Sequence, residues 1–151
     1  MTGQSSDKSG RVNPLPAEIK RIIADSRTIA VVGLSSDRSR PSYRVARYLQ
    51  KQGYVILPVN PRETEVLGQP AYPDLASVAG SIDIVQVFRK SEEAPAIVAE
   101  AIAKGAACIW LQEGVISPDA SRLAGQAGIP IVMDRCLKRE YQRWRRKYGH
   151  T

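Results

Sequence analysis

Histidine is almost missing from this chain: one residue, His150, stands next to last among 151. Without a second histidine there is no Ser-His-Asp or Cys-His relay outside the terminal tail, so the common nucleophilic hydrolases are excluded. Cysteine is equally scarce. Cys108 and Cys136 stand apart, outside any Cys-x-x-Cys or zinc-ligand spacing, so no soft-ligand metal cluster can be assembled and both are expected as reduced thiols. No apolar run approaches the roughly 18 to 20 residues that a membrane span needs, and the segment before Pro14 has no apolar core of the signal-peptide kind. A cytoplasmic address and no membrane contact are expected. A Gly-x-x-x-x-Gly-Lys loop is also missing, which argues against a P-loop ATPase or kinase.

What is present fits one domain with a real core. Basic residues outnumber acidic ones, 22 to 15, which suits an anionic partner: nucleic acid, an acidic surface or a phosphate-rich small molecule. Their placement is uneven. Between Arg135 and Lys147 seven basic residues face a single acid, Glu140.

Residues 1–14 are polar, serine-rich and aperiodic up to Asn13, and are expected to form a disordered tail before a domain spanning 15–148. Five apolar, β-branched runs follow, at Thr28–Val32, Tyr54–Val59, Ile82–Phe88, Ala107–Leu111 and Ile129–Met133. Helical spacing separates them. Helices are expected at Ala17–Ala24, Tyr43–Gln52, Glu92–Lys104 (capped by Ser91), Ser117–Ala127 and Arg135–Tyr148, with a short one at Asp74–Val78. Glycines at 53, 105 and 128 close three of them. Alternation of this kind predicts an α/β, Rossmann-like, doubly wound sheet of five parallel strands with helices on both faces, in the order 3-2-1-4-5.

Ligands of such sheets bind at the carboxyl ends of the strands, where the order reverses. Four loops share that edge, and each carries polar or conformationally special residues. After the first strand come Gly33, Leu34, Ser35, Ser36 and Arg38: a glycine that admits a diphosphate, two hydroxyls and a cation. The second and third glycines of Gly-x-Gly-x-x-Gly are missing. After the second strand stand Asn60, Pro61 and Arg62, where an NAD enzyme places an acid for the ribose hydroxyls. An arginine there suits a phosphorylated ribose instead, as in NADP or CoA. Phe88 ends the third strand and Arg89 follows it, and Gln112, Glu113 and Gly114 follow the fourth. Glu113 has no visible partner for acid–base work, so no catalytic residue is assigned.

Taken together, Val31-Val32-Gly33-Leu34-Ser35, Val59-Asn60-Pro61, the stretch from Asp83 to Arg89, Trp110-Leu111-Gln112-Glu113-Gly114-Val115 and Met133-Asp134-Arg135-Cys136 resemble the small CoA-binding proteins. These are similar to the N-terminal domain of the succinyl-CoA synthetase alpha subunit. The resemblance spans about Ile19 to Arg143. It implies that Gly33, Ser35, Ser36 and Arg38 meet the phosphates of CoA, Asn60, Pro61 and Arg62 its adenosine end, and Phe88, Arg89, Glu113 and Gly114 the remainder. The synthetases place a phosphohistidine on a following domain that this chain lacks, so the resemblance implies CoA or acyl-CoA binding without ligase chemistry.

Two other readings compete. An NADP-dependent or other nucleotide-binding oxidoreductase fits the fold and Arg62 but has no catalytic donor. A nucleic-acid binder working through the basic terminal helix fits its charge, although such runs usually mark a solvated helix face. A binding module without chemistry acts as a carrier or sensor, or through a protein partner. Cys136, at the ligand edge, could form a mixed disulfide with a bound thiol.

Overall fold

The computed structural model describes residues 4–6 and 12–148; His150 lies outside them. Five strands form one parallel sheet: β1 (Thr28–Val32), β2 (Val55–Val59), β3 (Ile84–Val87), β4 (Cys108–Leu111) and β5 (Ile131–Val132). Five helices accompany them: α1 (Pro16–Asp25), α2 (Pro41–Lys51), α3 (Ala94–Lys104), α4 (Pro118–Gln126) and α5 (Leu137–Tyr148). Part of the expected tail, 1–14, lies outside the described residues. Within it, Gln4–Ser6 pairs antiparallel with Val12–Pro14, and the Asn13 amide exchanges two hydrogen bonds with the main chain of Met133.

The sheet order is 2-1-3-4-5, not the expected 3-2-1-4-5, and proline chemistry accounts for the difference. In the expected order the second strand would be enclosed between the first and third. That strand contains Pro58, which lacks the ladder donor and belongs on an edge. The structure puts β2 on the edge, paired to β1 alone within the sheet, with Val55 48% exposed. The all-buried β3 takes the inner position beside β1.

Side chains alternate between two faces, as the pleat requires. Ala30, Val32, Val85, Val87, Ile109 and Leu111 pack with Ala94, Val98 and Ala101 of α3 and with Ala120 and Ala124 of α4. On the opposite face, Ile29, Val31, Ile84, Cys108 and Trp110 meet Ile23 of α1, Val45, Ala46 and Leu49 of α2, and Leu137 and Tyr141 of α5. Every strand is therefore covered on both sides, which explains why the runs read as continuous rather than alternating.

Two local expectations fail. Residues 74–78 make turns rather than a helix, with Ser77 N–H donating to Asp74 Oδ1 at 2.9 Å. Ser91 does not cap α3, because a short 3-10 turn at Ser91–Glu93 intervenes; its hydroxyl instead accepts from Ile116 N–H at 3.0 Å. Ser117 does cap α4, accepting from Ala120 N–H at 3.1 Å. Asp83, at the opposite end of the sheet, ties strands together by accepting from the amides of Arg27 and Thr28 at 2.7 and 3.1 Å.

Candidate functional site

The 2-1-3 order moves the reversal point to the gap between β1 and β3. The loops that meet there are stitched by hydrogen bonds that prolong the ladder past the strand ends. Gly33 N–H donates to Val59 O at 2.8 Å, Phe88 N–H to Val32 O at 2.9 Å, and Gln112 N–H to Val87 O at 3.2 Å. All four predicted loops consequently lie side by side along one edge.

Gly33 is the tightest point of that edge. Its φ is +90°, and a Cβ built there would stand 2.4 Å from Phe88 O and 2.9 Å from Arg89 Cδ. Only glycine fits. The Arg89 side chain thus lies across Gly33, and its guanidinium pairs with Glu93 at 3.2 Å.

At the corner between the loops after β1 and β2, the polar groups largely satisfy one another. Ser35 N–H donates to the buried Ser42 hydroxyl at 3.1 Å, and the Ser35 hydroxyl accepts from Asp37 N–H at 3.0 Å. Ser36 gives both its N–H and its hydroxyl to Glu63 Oε2, at 2.9 and 3.0 Å. A carboxylate therefore already sits where the sequence predicts a phosphate. Hydrogen bonds from the Ser39 hydroxyl and amide, helped by Arg40, hold the exposed Asp37 carboxyl below its ordinary value.

Asn60 clamps this corner. Its Nδ2 donates to Leu34 O at 3.0 Å and its Oδ1 accepts from Arg62 N–H at 3.0 Å, so its side chain is committed to the protein on both sides. Leu34 is wholly buried, and its carbonyl is taken by Asn60; its side chain faces the core rather than a ligand. Pro61 shapes the turn, while Arg38 and Arg62 stand exposed at the rim.

Along β3 and β4 the edge opens into a cleft of about 570 Å³ lined by Pro41, Phe88, Arg89, Lys90, Glu93, Gln112, Glu113 and Val115. Glu113 is exposed and paired with Arg139 at 2.9 Å. The Gly114 N–H donates to Asp134 Oδ1 at 2.8 Å. Asp134 itself adopts φ +61°. Beneath the cleft, Gln86 Nε2 donates to Gln112 Oε1 at 3.0 Å. A second cavity, of about 480 Å³, lies between α1 and α5 and includes Ile19, Arg143 and Trp144. None of the four loops lines it.

The profile of the family described as CoA binding domain matches residues 27–142. The chain belongs to that family. The uncharacterized protein YneT of Bacillus subtilis (strain 168) is 42% identical over 126 residues, which cover 83% of this CoA-binding domain protein and 93% of YneT. A hypothetical protein of Pyrococcus horikoshii OT3 of known structure shares 34% identity with a TM-score of 0.84, covering 95% of this chain and 99% of that one. Part of the domain is also 41% identical, over 59 residues, to the acetate–CoA ligase (ADP-forming) II subunit alpha of Pyrococcus furiosus, spanning 38% of this chain and 13% of that protein. The synthetase resemblance seen in the motifs is thereby matched in a ligase subunit.

Sequence reasoning missed three participants of this CoA-binding domain's edge. Gln86 carried a readable signal, since it is the one polar residue inside the otherwise apolar Ile84–Val87 run. Glu63 and Ser42 carried none. Their roles arise only when the chain folds back and brings residue 63 to residue 36 and residue 42 to residue 35.

Proposed function

We propose that this domain binds CoA or an acyl-CoA along the carboxyl edge of its sheet and acts as a binding module without chemistry of its own. The observation that supports the position of the phosphates is the Glu63 carboxylate on Ser36: two donors of the first loop already converge on an anion. A diphosphate offers more oxygens and more charge to the same donors. Gly33 lets the loops after β1 and β3 close on each other, since its missing side chain makes room for Phe88 O and for Arg89, and so brings the Arg89 side chain to the edge where the diphosphate is read.

In this reading Gly33, Ser35, Ser36 and Arg38 hold the diphosphate, with Ser36 exchanging Glu63 for it. Pro61 and Arg62 receive the adenosine end, the guanidinium matching a 3′-phosphate, while Asn60 and Leu34 hold the loop in shape. The remainder of the ligand runs over Phe88 and Arg89 toward Gln112, Glu113 and Gly114. Three arginines of α5 already have partners, Arg139 on Glu113, Arg143 on Glu140 and Arg145 on Gln52, so the basic helix is read as a solvated and internally paired face.

Isothermal titration with CoA, 3′-dephospho-CoA and NADP tests the proposal. CoA is expected to bind tightest, with dephospho-CoA weaker by the loss of the Arg62 contact. Equal binding of all three, or none, would sink it.

A further inference from the structure

The buried amide pair beneath the cleft is oriented by the main chain. Leu137 N–H, at the start of α5, points at Gln112 at 3.4 Å. A main-chain N–H can face only an acceptor, so the Gln112 atom beneath it is Oε1. The Gln86 atom 3.0 Å from that same oxygen must then be the donor Nε2. The orientation of both amides follows from one backbone group.

Two consequences come from the atoms left over. Gln86 Oε1 is sealed from solvent with no hydrogen-bond partner, in a side chain with 0% exposure between Val31 and Trp110 in the sheet register. Burying an acceptor in that way is unfavourable, and an apolar side chain of similar volume would fill the position without that cost. What the Gln86 amide adds is a donor that fixes Gln112. Gln112 Nε2, in turn, has no partner among the described residues and is not sealed, although the residue is only 6% exposed. Gln112 lines the 570 Å³ cleft beside Phe88.

We infer that Gln112 Nε2 is a fixed hydrogen-bond donor of the cleft, held in that orientation by Gln86, and that it selects a ligand carrying a carbonyl acceptor in the segment that lies over Phe88. This rests on the CoA reading above and deepens it. Two carbonyls of such a ligand fit the chemistry: an amide of the pantetheine arm, present in CoA itself, or the thioester carbonyl of an acyl-CoA. Gln112 is the binding residue. Gln86 is a positioning residue that acts through it.

Titration calorimetry with four compounds separates the possibilities: adenosine 3′,5′-bisphosphate (no arm), CoA, ethyl-CoA (a thioether with no thioester carbonyl) and acetyl-CoA. In Gln112→Glu the oxygen facing Leu137 and Gln86 is kept, while the donor in the cleft becomes an acceptor. An affinity loss of about tenfold is expected for a carbonyl ligand. If the arm amide is bound, CoA, ethyl-CoA and acetyl-CoA all lose by that factor. If the thioester is bound, acetyl-CoA alone does. The bisphosphate keeps its wild-type Kd in either case. Gln112→Met, which removes the donor without adding charge, carries the same pattern should the glutamate variant fail to fold. Gln86→Met is expected to reproduce part of the loss with no fall in Tm, a combination that a merely structural role would not give.

Wild-type Kd for all four ligands in both Gln112 variants would overturn the inference while leaving CoA binding intact. So would an equal loss for the bisphosphate and acetyl-CoA. Failure of wild-type protein to bind any of the four would overturn the CoA reading, and this inference with it.

Discussion

At the corner between the loops after β1 and β2, donors close on acceptors from the protein itself: Ser35 on Ser42, Ser36 on Glu63, Asn60 on Leu34, and Arg62 on Asn60. Over β3 and β4 the arrangement is the reverse. There a buried amide leaves an acceptor unpaired, and its neighbour leaves a donor open to the cleft. The exposed corner can meet a ligand by exchange, since water and a neighbouring carboxylate keep its groups satisfied meanwhile. The inner cleft has no substitute at hand, so its polar groups must be fixed in advance by the fold. Exchange suits a charged diphosphate, and a preset donor suits a neutral carbonyl.

The contrast breaks most severely at the residue both regions share. Gly33→Ala forces a Cβ to within 2.4 Å of a backbone oxygen at φ +90°. Backbone strain of this sort costs roughly 1–3 kcal/mol before the clash is added. A large fall in Tm and loss of CoA binding are expected in a thermal melt and a titration. A variant with wild-type Tm would show that the approach of β1 to β3 is not what shapes the site.

The two thiols offer a pH test of the same difference between sealed and open parts. Burial alone pushes Cys108 up to about 12. A thiol whose folded value is raised stabilises the fold fully below its unfolded value of about 8.5 and loses that contribution as pH climbs toward the folded one. Stability is therefore expected to fall between about pH 9 and 12, and Cys108→Ala should flatten that part of the curve. At pH 8 a thiol reagent is expected to label the half-buried Cys136 well before Cys108.

A smaller effect sharpens the exchange argument. Glu63→Gln removes the charge that competes for Ser36 while keeping an oxygen that can accept from it. CoA affinity is expected to rise about two- to fivefold, the scale of an exposed ionic contact. An unchanged or weaker affinity would mean that Glu63 does not occupy the phosphate position. Smallest of all, Arg139→Ala breaks an exposed pair with Glu113 and should cost only about 0.2–1 kcal/mol in a denaturant melt.

Much of this was readable before folding. The β-branched runs, the glycines that close α2 and α3, and the Ser117-Pro118 start of α4 located the elements because each depends on local chemistry. Strand order depends on which strand tolerates an edge. Pro58 held that information, but a proline near a strand end also reads as simple punctuation. The loops of the site were identified correctly as neighbours, yet how each residue is engaged was not legible. Leu34 turns into the core, Asn60 is committed to the backbone on both sides, and the Gly114 N–H goes to Asp134. The Asn60–Leu34 and Gly114–Asp134 pairings join residues 26 and 20 positions apart and exist only once the sheet has aligned the loops.

The central claim is that CoA lies along the carboxyl edge of the sheet, and backbone amide chemical shifts recorded during a CoA titration test it most directly. The largest changes are expected at Gly33, Ser35, Ser36, Arg62, Phe88, Arg89 and Gln112, with little movement in the 480 Å³ cavity between α1 and α5. Changes concentrated at Ile19, Arg143 and Trp144, with the Gly33 loop silent, would contradict it.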